Sequence, residues 1–284
     1  MTAMHPVFDF DAASALSQGE RSYQEDAVVA DFSRGSEIGV AVLADGMGGH
    51  AAGDVASKIV VTEVFSELMF QRGDATAFEK SVITNLHDAA MAANACLRDH
   101  VETYPETRGM GATLVATVII NRHLYWISIG DSPLFLFRDG ELSQLNEDHS
   151  MAPQIDFMVK SGLLNQDEAR CHPDRNTLTS VLFGEEIPRI DCPENPLELR
   201  TGDMLIVASD GLQFLTNDEI AAVLSATPQA YSAEIADNLL ERLRQLNDPD
   251  LDNVSFSVVR LNAAQGHEAA GAVSEIAESI RCVG

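Results

Sequence analysis

The stretch Val40-Ala41-Val42-Leu43-Ala44-Asp45-Gly46-Met47-Gly48-Gly49-His50 constrains the fold more than any other. Its first half is apolar and uncharged, the pattern of a strand buried on both faces. It then delivers one carboxylate, Asp45, into a turn containing Gly46, Gly48 and Gly49. An ion at the end of a core strand is costly unless a counter-charge sits on it. The glycines clear side chains away, so backbone carbonyls and amides can approach a ligand. A hard cation or a phosphate suits such a corner. On this stretch alone, a plain Asp-Gly turn explains as much.

The same device recurs along the chain. Leu205-Ile206-Val207-Ala208-Ser209 runs into Asp210-Gly211, and Trp126-Ile127-Ser128-Ile129 runs into Gly130-Asp131. Asp252-Asn253 opens the apolar run beginning at Val254, and Glu25-Asp26 stands just before Ala27-Val28-Val29-Ala30. Strand ends that each carry acid can converge on one edge of a sheet core. Asp45, Asp131, Asp210 and Asp252, with Glu25 and Asp26 nearby, then form an all-oxygen ligand set. No His or Cys falls at zinc spacing, and hard oxygen donors favour Mg²⁺ or Mn²⁺. Carboxylates around two metals suit activation of water for attack on phosphorus. Arg21 supplies a planar cation able to hold phosphate oxygens in pairs.

Composition narrows the partners. With 284 residues, 45% of them hydrophobic, the chain can bury a sizeable core, and no internal linker divides it. A formal charge of −26 argues against nucleic acid and against anionic membranes. No run approaches the length of a membrane span. The start lacks the basic and apolar regions of a signal peptide. Cys96, Cys171, Cys192 and Cys282 lack C-x-x-C spacing and read as reduced thiols, so a cytoplasmic location is expected.

Periodicity supplies the architecture. Strands are expected over 27–32 and 38–44, then helices over 54–71 and 76–103 carrying apolar stripes. Strands follow at 113–120, 124–129, 134–137 and 141–145, with Asp139-Gly140 as a type I′ hairpin turn. An irregular excursion over 147–184 interrupts them. Strands resume at 189–192, 197–199 and 204–209. Helices follow over 216–224, opened by the capping box Thr216–Glu219, and over 232–246. A last strand spans 254–261. Residues 1–17 read as an acidic, partly ordered lead-in, and 263–284 as a tail with a short helix around 273–280. The order fits an α+β fold, a β-sandwich of two antiparallel sheets flanked by pairs of helices.

The motif set resembles the bacterial type of the metal-dependent protein serine/threonine phosphatases, the PPM family. The matching runs are Arg21-Ser22-Tyr23-Gln24-Glu25-Asp26, Ala44 to His50, Gly109-Met110-Gly111-Ala112-Thr113-Leu114, Gly130-Asp131-Ser132, Glu147-Asp148-His149-Ser150, Ala208-Ser209-Asp210-Gly211 and Asp252-Asn253-Val254-Ser255. They stand in the family's order over about 17–261. The resemblance implies a phosphatase domain over 1–262, with a flap at about 147–184, and a dinuclear Mn²⁺ or Mg²⁺ centre activating a bridging water. Asp45 would bridge the two metals and the Gly46 carbonyl would bind one of them. Asp210 and Asp252 would bind the other. Glu25 and Asp26 would hold the first directly or through water. Asp131 would share a third, weaker site with Asp210, and Arg21 would bind the substrate phosphate. The implied partners are phosphorylated proteins, among them a Ser/Thr kinase or its targets.

The chain departs from the family pattern in places. Gln24 stands where Asn is usual, and Pro133 where Arg is frequent. Met47 replaces a His proposed as general acid in eukaryotic relatives, leaving that proton to water at the centre. For His50 and His149, structural hydrogen bonding is expected over a chemical role. Two other readings stand beside phosphatase. A non-catalytic phosphoprotein-binding module would usually lack metal ligands, and none is missing. A dinuclear nuclease is disfavoured by the acidity and the absence of a basic groove. On charge alone, substrates with basic residues near the phosphate are expected to be preferred.

Overall fold

The computed structural model describes residues 8–33, 35–48, 51–226 and 230–263. The expected tail helix around 273–280 lies outside the described residues, as does His50. Two antiparallel sheets lie face to face. One contains β1 (Phe8–Ser17), β7 (Leu134–Arg138), β8 (Glu141–Gln144), β10 (Met204–Ala208) and β11 (Val254–Ala263), in the order β1-β11-β10-β7-β8. The other contains β2 (Asp26–Asp31), β3 (Ile38–Met47), β5 (Leu114–Ile120), β6 (His123–Ile129) and β9 (Leu197–Glu198), in the order β2-β3-β5-β6-β9, with β4 (Gly111–Ala112) paired to the end of β3. Helices α1 (Ala51–Gln71) and α2 (Ala75–Thr103) cover one outer face. Helices α5 (Asn217–Ala226) and α6 (Ser232–Gln245) cover the other.

Strand β3 explains why four layers form. Val40, Val42 and Ala44 turn toward α1 and α2, while Ala41 and Leu43 turn into the space between the sheets. Both faces are apolar, so each needs a covering layer. Strand β5 repeats the pattern, with Ala116 and Val118 toward the helices and Val115 and Ile119 between the sheets. Each of the fully buried Val, Leu and Ile side chains contributes roughly 1.5–3 kcal/mol, and each Ala methyl less. These layers hold β3 rigid up to the point where it delivers Asp45.

The local signals mostly hold. Asp139 and Gly140 both have positive φ, 54° and 86°, as a type I′ turn requires. Thr216 and Glu219 exchange the hydrogen bonds of a capping box at the start of α5. Two expectations need correction. The expected strand over 189–192 is reduced to one isolated bridge, Ser128 to Asp191. Residues 8–17 of the acidic lead-in form β1, hydrogen-bonded along β11 from Phe8–Ala263 to Ser17–Val254. Phe8 and Phe10 enter the core between the sheets, but the rest of β1 is small and polar. Its pairing partner lies at the far end of the chain, so no local pattern announces it.

Strand β1 also secures α6. The Ser232 N–H donates to Asp11 Oδ2 at 2.6 Å, and Ser232 Oγ donates to the Asp11 carbonyl. The cap thus comes from a distant strand instead of from Tyr231, the residue before the helix, which makes no side-chain cap. Replacing Asp11 by Ala is expected to lower stability by about 1 kcal/mol. That corresponds to a thermal midpoint lower by roughly 2–4 °C for a domain of this size. Calorimetry showing no shift would remove this cap from the account.

Candidate metal centre

The acid-bearing strand ends of both sheets meet at one end of the sandwich. Asp26 opens β2 and pairs directly across from Asp45 on β3. Asp210 follows β10, Asp252 precedes β11, and Asp131 follows β6. Asp45 feels the charges of Asp26, Asp210, Asp131 and Asp252, so these predicted acids do share one site. Glu25 joins them beside Arg21 and Asp252. Arg21 lies at the rim, its Nη2 donating to Asp252 Oδ2 at 2.5 Å, with its side chain 58% exposed.

Backbone and hydroxyl contacts fix these positions. The Asp45 N–H donates to Thr113 Oγ1 and the Thr113 N–H returns to the Asp45 carbonyl, each at 2.9 Å. Ser209 Oγ donates to Asp26 Oδ2 at 2.7 Å, joining the two sheets at the site. Asn253 holds the N-terminal loop. Its Oδ1 accepts from the Glu25 N–H, and its Nδ2 donates to the carbonyls of Gln18 and Tyr23. The sequence reading placed Asn253 only at a strand start. Its fastening role depends on a fold that brings residue 253 to residues 18–25. Asn253→Ala removes three part-buried hydrogen bonds to the loop backbone, whose freed groups can turn to water, and a loss of about 1–2 kcal/mol is expected in urea unfolding. An unchanged midpoint would rule out the fastening.

Glycines let backbone segments pack closely at the corner. A Cβ on Gly46 would run into the carbonyls of Gly53 and Glu25. A Cβ on Gly53 would strike Glu25 Oε1 and the Gly46 carbonyl. Gly53, on α1, is the one member of this cradle that the sequence reading did not single out. Its place in a helical stretch hid it.

The electrostatics are those of crowded anions. Burial pushes Asp26 up to about 7 against the pull of its Ser209 hydrogen bond, and the Asp210 charge adds to the rise. Burial, then the charge of Asp210, pushes Asp131 to about 7. Burial, then the charge of Asp252, pushes Asp210 to about 6. Asp45 is raised well above the usual range by burial and by Asp26. Among the described residues no three of these side chains close on one point by themselves. Among the described residues, Glu25 Oε1, Asp26 Oδ1 and Asp210 Oδ1 are buried without a hydrogen-bond partner. Buried carboxylate oxygens without donors fit cations, and an all-oxygen set fits Mn²⁺ or Mg²⁺.

Comparison with known proteins agrees with this geometry. The family model described as protein phosphatase 2C matches residues 14–247. The chain belongs to that family. It is 34% identical over 209 residues to the serine/threonine protein phosphatase PstP of Mycobacterium tuberculosis, spanning 73% of this chain but only 38% of that protein. A putative 2C-type phosphatase of Streptococcus pyogenes is 32% identical over 244 residues, spanning 84% of this chain and 92% of the relative. The crystal structure of the PstP catalytic domain in complex with two manganese ions superposes with a TM-score of 0.71 at 30% identity, covering 90% of this chain and 99% of that one. The family's sandwich with flanking helices is the fold found here.

The excursion over 147–184 closes one side of the centre. It contains α3 (Ala152–Lys160) and α4 (Gln166–Arg170). A cavity of about 340 Å³ opens between it and the acids, lined in part by Asp131, Asp148, Arg175, Asp210 and Gln213. His149 is fully buried. Its Nδ1 accepts from the Gly130 N–H at 3.3 Å, and its carbonyl accepts from Thr179. Burial, then the charge of Arg189, lowers its pKa. Arg175 was missed as a cavity residue because its polar turn carries no local mark of what it faces.

Proposed function

We propose that this chain is a protein serine/threonine phosphatase that hydrolyses phosphoserine and phosphothreonine through a dinuclear Mn²⁺ or Mg²⁺ centre. The observation that carries the reading is the set of buried carboxylate oxygens, without partners among the described residues, at a closely packed glycine corner beside Arg21. Asp45, the Gly46 carbonyl, Asp210, Asp252, Glu25 and Asp26 would hold two ions. Asp131, with Asp210, would hold a third more weakly. Bound there, the ions supply the positive charge that polarises a phosphate ester and makes water nucleophilic.

The remaining work falls to the chain itself. Arg21 is exposed enough to meet a phosphate from solvent, and its fork matches two phosphate oxygens. Its pairing with Asp252 keeps the guanidinium at the mouth of the corner. Thr113 and Ser209 hold Asp45 and Asp26 in place, so little reorganisation is needed when substrate arrives. The flap narrows access to the cavity beside Asp131 and limits water there.

The proposal extends to one phosphatase domain over 1–262 followed by a tail. It also includes a signalling role opposing a Ser/Thr kinase, with phosphorylated proteins as partners, and a cytoplasmic location. Among the described residues no helix is long and apolar enough to cross a membrane. The full set of acids argues against a purely binding module, and the −26 charge argues against nucleic-acid substrates. The test is release of phosphate from a phosphothreonine peptide and from p-nitrophenyl phosphate. Release with Mn²⁺ that EDTA abolishes is the expected outcome. Folded protein inactive in every metal would replace catalysis with binding.

A further inference from the structure

The flap holds a second cavity, of about 410 Å³, lined in part by Lys160, Arg170 and Arg175. The whole chain has 18 Lys and Arg against 44 Asp and Glu, so three cations on one small wall reverse the prevailing sign. Asp156 is the acid on that wall, and it already accepts from both Arg175 Nη atoms, at 2.7 and 3.2 Å. Glu168, on the neighbouring α4, is turned back to cap the Asn165 N–H. The exposed side chains of Lys160 and Arg170 make no hydrogen bond or ion pair among the described residues. Each sits in the last turn of its own helix, where a cation complements the carbonyl end. That accounts for each alone, but not for their meeting Arg175 around one cavity. Arg175 also lines the cavity beside Asp131 and Asp210, so the two spaces are neighbours.

We propose that the flap cavity binds a second phosphate group, carried by a doubly phosphorylated substrate whose first phosphate lies at the carboxylate corner. The inference rests on the phosphatase reading and adds a preference for segments phosphorylated at two nearby positions. A phosphate on Ser or Thr is close to a dianion at neutral pH and offers three acceptor oxygens. The Lys160 ammonium and the Arg170 guanidinium are left to meet it, with Arg175 already forked onto Asp156 beside them. Overall acidity favours basic substrates at long range, but at physiological salt that field fades within about 8 Å. The cavity then acts by contact, where its own sign decides.

The test compares a singly phosphorylated threonine peptide with peptides carrying a second phosphothreonine about two to four residues away, since each residue spans roughly 3.3 Å. The wild type is expected to show a KM about five- to tenfold lower for the best doubly phosphorylated peptide. The variant K160Q/R170Q should lose that advantage while keeping its rate on p-nitrophenyl phosphate and on the single-site peptide. Inorganic phosphate distinguishes the source of the group. Competitive inhibition in both proteins assigns the cavity to substrate-borne phosphate, whereas a non-competitive component lost in the variant shows that it takes the free ion instead and overturns the substrate preference. Equal KM values for the two peptides, or an advantage that survives in the variant, would overturn the proposal. Should hydrolysis fail altogether, the phosphatase reading fails with it. Fluorescence anisotropy of the same peptides then still decides whether the cavity favours the second phosphate.

Discussion

Asp210→Asn lowers kcat/KM for a phosphothreonine peptide by about a thousandfold or more, while the protein stays folded. The magnitude is that of removing a main charge-stabilising group from a reaction centre. Asp210 is partly buried, and its enclosed Oδ1 has no donor among the described residues. An amide there is a weaker ligand for a hard cation. It also relieves repulsion from Asp252, so the metal-free protein should melt no lower than the wild type. The comparison needs turnover in Mn²⁺ and thermal unfolding in EDTA. Near wild-type turnover would remove Asp210 from the centre. A collapsed melting curve would make it a structural residue.

Gly53→Ala should uncouple stability from activity. An alanine within a helix is favoured over glycine by about 1 kcal/mol, so propensity alone predicts a gain in stability. At residue 53, however, the new methyl would meet the Gly46 carbonyl and Glu25 Oε1. Glu25 can swing its side chain aside, but Gly46 lies on the rigid end of β3 and cannot follow. The expected result is a thermal midpoint within a few degrees of wild type, activity at least about a hundredfold lower, and a higher Mn²⁺ requirement. Wild-type activity at ordinary Mn²⁺ would mean that the glycine corner holds nothing that matters.

The parts legible in the sequence share a physical reason. β3, β5, β6 and β10 are buried on both faces, so they read as continuous apolar runs, and the acids at their ends stand out against them. The capping box before α5 and the Asp139-Gly140 turn are local chemistry, and both formed as read. What the sequence hid was non-local. β1 exists because β11 pairs with it, and its Ala and Ser residues have little strand character of their own. Asn253 matters because the fold brings the N-terminal loop against it. Gly53 lies in a helical stretch, and only the approach of β3 reveals why it lacks a side chain. The flap yielded least, since Lys160, Arg170 and Arg175 meet only once α3 and α4 have folded back.

The measurement that tests the central claim most directly is a calorimetric titration of Mn²⁺ into EDTA-stripped protein, beside the same titration of Asp210→Asn. The account predicts two ions bound per wild-type chain, a raised thermal midpoint on binding, and weaker or fewer sites in the variant. No Mn²⁺ or Mg²⁺ binding by folded wild-type protein, or identical binding by the variant, would contradict it.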